Sequence, residues 1–205
     1  MTITSRVVCE QCNNGWMSRL EVRARPILTP LILGEECVIS TGDQVVIASW
    51  IAKTAMVGEY LYETGAAAST REEREILRLE GVPPPNWFIR ISPLLAVRWR
   101  VGHHHYSASV AVSRNPKIRA VGIADVRNVQ WTMMGINRLF FLASSSSIDP
   151  NIGNFDIQGA QETQIPRIWP NPQGEIKWNP SIVVNDSVVE RFALGQRKLI
   201  AGGMN

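Results

Sequence analysis

The sequence predicts an α+β fold, with a helical N-terminal half and a mainly antiparallel C-terminal half. Three observations carry this. A long apolar stretch at about 42–63 has capping residues at its start, a second capped helix at about 70–80 follows, and from Trp87 onward the texture changes to short alternating runs broken by proline and glycine. At 205 residues the chain is long enough to bury a sizeable core, and 45% apolar with 19% charged residues is the composition of an ordinary globular protein.

The elements follow in order. Residues 6–9 read as an extended entry, after which Asn13 or Asn14 is placed to cap a helix to about Ala24, since a short side-chain oxygen accepts from the first free N–H groups. Trp16, Leu20 and Ala24 lie four apart on one face of it, and Pro26 and Pro30 break or restart the path. Glu35–Ile39 reads as a strand. Thr41-Gly-Asp-Gln44 has capping-box form and opens the helix at 42–63, whose apolar residues cover most of its circumference and predict central burial. Thr70-Arg-Glu-Glu73 is a second capping box, ended by Gly81. Pro83-Pro84-Pro85 forms a stiff spacer and the best internal boundary candidate.

Beyond it, Trp87–Ile91, Val97–Val101, Tyr106–Val112, Ile118–Ile123 and Gln130–Leu142 read as strands, the last with Gly135 as a bend or bulge. Ser144–Ser147 and Pro150–Gly153 read as a loop. Ile165–Trp169 and Ile182–Val184 are short strand candidates, and Asp186 caps a final helix over about 186–200.

Net charge is +3, the excess lying in residues 103–205, and lysine occurs only at 53, 117, 177 and 198, so the basic residues are overwhelmingly arginine. Such a balance does not by itself require a polyanionic partner. The three cysteines, an odd number, do not form a secreted disulfide framework, and with no apolar leader or membrane-length segment the expectation is a cytoplasmic protein with no membrane span.

Two constellations bear on chemistry. Cys9 and Cys12 stand two residues apart, and the intervening turn can bring both sulfurs to one zinc ion; the same spacing also suits a redox pair. A structural zinc needs four ligands, so this is half of a site. Cys37 joins only if the fold returns it to the pair, and a small core residue is the commoner outcome. His103-His104-His105 suggests metal binding or general-base work, but strand neighbours point to opposite faces, so at most His103 and His105 share a site. A polar turn between strands explains the run without function. The tryptophans at 16, 50, 87, 99, 131, 169 and 178 offer stacking surfaces for bases or simply core, and no phosphate-cradling glycine loop occurs.

The segment Cys9-Glu-Gln-Cys12-Asn13-Asn14-Gly15-Trp16-Met17-Ser18 resembles bacterial HNH endonuclease-like proteins, a likeness that continues through Trp50–Met56 and, more weakly, through Ile168–Pro170 and Trp178–Pro180. The resemblance implies a ββα-metal finger over residues 1–35, joined to an α+β body over 36–205. It implies Cys9 and Cys12 as structural zinc ligands, Asn13 or Asn14 as the catalytic-site residue at the start of the metal-site helix, a separate divalent cation such as magnesium for activity, and DNA as substrate. The family's first cysteine pair and general-base histidine lie ahead of this segment and have no counterpart here, so the resemblance implies an N-terminally truncated remnant, inactive as this chain alone. A homo-oligomer that completes the zinc site is one expectation. A non-enzymatic interaction or assembly domain is the alternative reading, and a zinc hydrolase built on the histidine run ranks last.

Overall fold

The computed structural model describes residues 7–61, 67–111, 119–120, 128–148, 165–172, 174–179 and 183–201, with the side chains of 110–111, 119–120 and 194–201 outside the description. Helices fill the first half and antiparallel strands the second, as the α+β reading requires. No helix among the described residues is long and apolar enough to cross a membrane.

The first helical run begins at α1 (Glu10–Cys12), kinks at Gly15 within the turn Asn13–Met17, and continues as α2 (Ser18–Leu33). It extends well past Ala24, and Pro26 and Pro30 lie inside it. Each proline leaves the carbonyl four residues back without its helical donor. Those carbonyls belong to Val22 and Pro26, both on the exposed face, where water replaces the lost N–H. The buried face is continuous through Leu20, Ala24, Leu28 and Leu31.

After the short strand β1 (Cys37–Ile39), helix α3 (Thr41–Gly58) is capped one residue earlier than the sequence reading placed it. Ser40 Oγ accepts from the Asp43 N–H at 3.1 Å, and the Asp43 carboxylate reaches back to the Ser40 N–H. Gln44 is thereby freed to be buried, where its amide donates to the Ile39 and Gly174 carbonyls. A 3-10 turn at Glu59–Leu61 ends the helix, and residues 62–63 of the expected span lie outside the described residues. Helix α4 (Arg71–Glu80) has the expected Thr70–Glu73 capping box and stops at Gly81, whose φ of 72° is costly for any residue with a Cβ.

The main sheet has the order β10-β2-β7-β6-β3, with β8 also on β2. Its strands are β2 (Trp87–Leu95), β3 (Val101–Ala108), β6 (Val129–Ile136), β7 (Leu139–Ser146), β8 (Arg167–Trp169) and β10 (Val184–Asn185), and among the described residues only the β10–β2 pairing is parallel. Two small ribbons flank it, β1 with β9 (Ile176–Trp178) and β4 (Val110–Ala111) with β5 (Arg119–Ala120). Of the expected strand at 118–123 only residues 119–120 are described, and both are strand, while the rest of it, Pro150–Gly153 and Ile182 lie outside the described residues. The sheet alternates as a pleated surface must. Trp87, Ile89, Ile91, Leu139, Phe141 and Ala143 face the core shared with α2 and α3, whereas Leu94, Met133, Phe140 and Leu142 face the final helix α5 (Asp186–Ala201). Phe140 stacks on Phe192 of α5 at 6.4 Å.

Several expectations are corrected. Gln130–Leu142 is not one strand but the two strands of a hairpin, turning at Asn137–Arg138 with Asn137 at φ 51°. Gly135 is not a bend: a Cβ there would stand 1.8 Å from the Trp99 carbonyl oxygen, so the residue permits a close backbone crossing. Ser144–Ser146 belong to strand β7 rather than a loop. Most of Val97–Val101 is an irregular turn, because the Asp186 carboxylate collects the N–H groups of Val97, Arg98 and Trp99 at 3.0, 3.2 and 3.1 Å and denies them to a strand. Asp186 is thereby occupied, and Asn185 caps α5 instead by accepting from the Val188 N–H. Pro83 and Pro84 are buried, and the Pro84 carbonyl accepts from Trp169 Nε1 at 2.9 Å, so the proline bridge is packed against the sheet.

Candidate functional site

The helical run that carries the cysteine pair lies across α3, leaving two grooves on either side of a ridge formed by Val8, Met17, Lys53 and Val57. The cysteines open into one groove and the asparagines into the other.

Cys9 itself is the cap of the first turn. Its backbone is extended, and its Sγ accepts from the Cys12 N–H at 3.3 Å. Asn13 and Asn14 therefore do not cap the helix; they follow the cap and lie in the kinked turn. Cys9 is exposed, Cys12 is half-buried, and both thiols are free. Hydrogen bonds from Cys12, first from its side chain and then from its backbone, hold the Cys9 thiol below the ordinary cysteine range. A lowered thiol pKa raises the share of thiolate, the form that binds metal or attacks disulfides. The pair thus has the right chemistry for half of a tetrahedral zinc set.

The first groove, of about 260 Å³, has an apolar floor of Trp16, Met56 and Leu77. Its far wall is α4, which lines it with Arg71, Arg74 and Arg78 at helical spacing i, i+3 and i+7. Glu75 lines the same wall and pairs with Arg71 at 3.3 Å, and Arg74 donates to the Ser69 carbonyl, so basic residues outnumber the one carboxylate on that side. The indole N–H of Trp16 is buried with no acceptor among the described residues. This arginine stripe was readable in the sequence as a face of the second capped helix, but nothing in the sequence set it opposite the cysteines.

The second groove, of about 500 Å³, receives Asn13 and Asn14 together with Ser18, Arg25, Lys53 and His103. The two consecutive asparagines line this side just ahead of a kink between the two helices. Gly15 takes the departure from helical geometry, at φ −94° and ψ −110°. Asn13 Nδ2 donates to Asn14 Oδ1 at 3.3 Å, and both side chains are exposed. Glu21 also lines this groove, but its carboxylate is taken by Lys53 Nζ and by Trp50 Nε1 at 2.8 Å. Magnesium prefers several hard oxygen ligands, and a groove whose one lining carboxylate is already paired fits that ion poorly.

The histidines are not in a turn. They sit on β3 paired with Met134, Met133 and Thr132 of β6. His103 packs on α3, its Nε2 lying 2.7 Å from where a Cβ would stand at Gly58. Burial, aided by the neighbouring His105 and His104, lowers its pKa to about 4, so it is neutral at pH 7. His104 packs edge-on against Trp99, with ring centroids 6.5 Å apart, and His105 is buried with Nδ1 2.9 Å from Thr132 Oγ1. The three rings therefore serve packing and strand contacts rather than one shared metal. Cys37 lies on β1 against the core, and its thiol is raised by burial and by the charges of Glu35 and Asp43. Every cysteine and histidine of the chain is among the described residues, and no three His, Cys, Asp or Glu side chains there converge on a metal position.

Of the tryptophans, 87, 131 and 178 are buried core residues, and Trp50 meets Phe141 edge-on at 6.2 Å with Lys53 over its ring. Trp16 alone among these five lines a groove. Compared with known protein families, curated proteins and solved structures, the chain matches none.

Proposed function

We propose that this chain is an HNH endonuclease-family protein that binds zinc through Cys9 and Cys12 and engages DNA beside Asn13 and Asn14, without completing a hydrolytic site from its own groups. One observation carries the reading. The turn that follows the cysteine pair delivers both asparagines into a groove that also holds Ser18 and Arg25, donors of the kind that hold phosphate oxygens. Hydrolysis needs a base with access to water. His103 has its Nε2 buried against α3, His104 has its Nε2 buried beside Trp99, and His105 is buried on Thr132, which supports a binding rather than a cleaving role. Two thiols are half of a zinc set, so the remaining donors come from outside this chain. Three free cysteines accord with the reducing cytoplasm.

The test is fluorescence anisotropy with labelled duplex DNA at two salt concentrations, beside plasmid nicking in magnesium. Binding that weakens steeply with salt, and weakens further in Arg25→Glu, is the expected result. Absence of binding at low salt would remove the DNA reading, and magnesium-dependent nicking would remove the non-hydrolytic one.

A second reading, a non-enzymatic assembly domain, is favoured by one feature. Leu95, Val97 and Val101 project around a single turn at 56%, 87% and 84% exposure. Apolar residues so grouped mark contact surfaces. Self-association or partner binding lost in Val97→Glu, with DNA binding absent, would select this reading.

A further inference from the structure

We propose that one zinc ion is held between two copies of this chain, each supplying Cys9 and Cys12, so that the metal and the dimer form together. This rests on the zinc reading of the pair. Each chain offers two sulfurs at one exposed turn, the first already oriented by the Cys12 N–H. A structural zinc closes with four donors. The other soft donors of the chain are engaged elsewhere: Cys37 on β1 against the core, His103 on Gly58, His104 on Trp99 and His105 on Thr132. No third donor converges on the pair among the described residues. Another exposed copy of the same half supplies two more donors of the same kind.

A two-fold axis through the ion satisfies this with one surface meeting itself. Charge supports the same arrangement. Binding Zn²⁺ releases four thiol protons and leaves a centre of net charge −2. Arg71, Arg74 and Arg78 line the groove into which the sulfurs open against one carboxylate, Glu75, which pairs with Arg71, and a second copy brings the same basic excess. Outer groups of opposite charge steady a thiolate centre.

The purified chain is to be titrated with zinc alone while its mass is followed by sedimentation, with cobalt substitution to read the ligand set. The expected result is saturation at about half an ion per chain, a doubling of mass on metal addition, reversal by a chelator, and cobalt spectra of a four-thiolate tetrahedron. Cys12→Ser should keep the melting transition and stay monomeric with zinc. One ion per monomer overturns the shared site while leaving the zinc reading standing. No zinc uptake by a folded chain overturns both, and a dimer of equal strength without zinc overturns the coupling.

Discussion

The Glu59 carboxylate accepts from both the backbone N–H and the hydroxyl of Ser69, at 3.3 and 2.9 Å, in a fully enclosed position at the end of α3. A third bond from the Ala68 N–H ties the 67–70 segment to that helix just before α4 begins. Burial nevertheless dominates and lifts the carboxyl from 4.5 to about 7, against the hydrogen bonds from Ser69 and Ala68 and the charge of Arg74. Between these values the folded chain retains a proton that the unfolded chain has released. The associated stability is complete below about pH 4.5 and is lost as pH rises through 7, amounting to roughly 3 kcal/mol. Glu59→Gln keeps a neutral acceptor for the same N–H groups. Urea midpoints should show it more stable than the parent at pH 8, with the gap closing by pH 5; a gap independent of pH would refute this account.

The cysteines should label in order. Hydrogen bonds from Cys12 lower the Cys9 thiol, which is exposed, whereas burial and nearby negative charge raise that of Cys37. Reaction rate follows thiolate fraction and access. Brief iodoacetamide treatment at pH 7 followed by peptide mass mapping should find Cys9 modified ahead of Cys37. The reverse order would mean that the knuckle does not activate its first sulfur.

Glu21 joins α2 to α3 through Trp50 and Lys53. Burial acts to raise its carboxyl, but the hydrogen bonds from Lys53 and Trp50 and the Lys53 charge bring it below the usual value. The contact is therefore complete at neutral pH and lost as pH falls through that lowered pKa. Glu21→Ala should cost about 1 kcal/mol in denaturant unfolding at pH 7 and less at pH 3. An equal cost at both values would assign the effect to packing alone.

Gly135→Ala is expected to be severe. The added methyl would meet the Trp99 carbonyl at 1.8 Å and Leu94 Cδ2 at 3.0 Å, and backbone cannot swing aside as a flexible side chain does. Overpacking of this kind costs about 3 kcal/mol or more. Thermal unfolding is the measurement, with Gly81→Ala as comparison, because there a Cβ meets nothing and only the backbone angle is strained. Equal losses would show that the crossing is looser than these distances state.

Asp186 fixes the turn ahead of β3 by holding three consecutive N–H groups, and Arg98 closes the same junction by pairing with Glu190 at 2.9 Å. Asp186→Ala should speed amide exchange at Val97, Arg98 and Trp99 while leaving the β6–β7 hairpin protected. Unchanged exchange at those amides would show that the carboxylate is dispensable to the turn.

Local chemistry was legible in the sequence and long-range closure was not. The Thr70–Glu73 box, the Gly81 stop, the strand at Cys37 and the buried central helix follow from capping and periodicity, which act over a few residues. The capping box read at Thr41–Gln44 lies at Ser40–Asp43 in the fold, where Gln44 is instead buried and donates to the Ile39 and Gly174 carbonyls. Val97–Val101 alternates like a strand, yet a carboxylate nearly ninety residues away claims its donors. The prolines of α2 are helix breakers by themselves and are tolerated because their orphaned carbonyls meet solvent.

The sequence by itself determined that Cys9 and Cys12 share one turn and that Asn13 and Asn14 follow directly, since spacing along a chain is covalent. The tertiary structure alone decided what faces them. The packing of α2 on α3 sends the thiols toward the α4 arginines and the amides toward Lys53 and Arg25, while β3 packs His103 against Gly58. Such juxtapositions depend on which faces bury together, and that is a property of the whole core rather than of any segment.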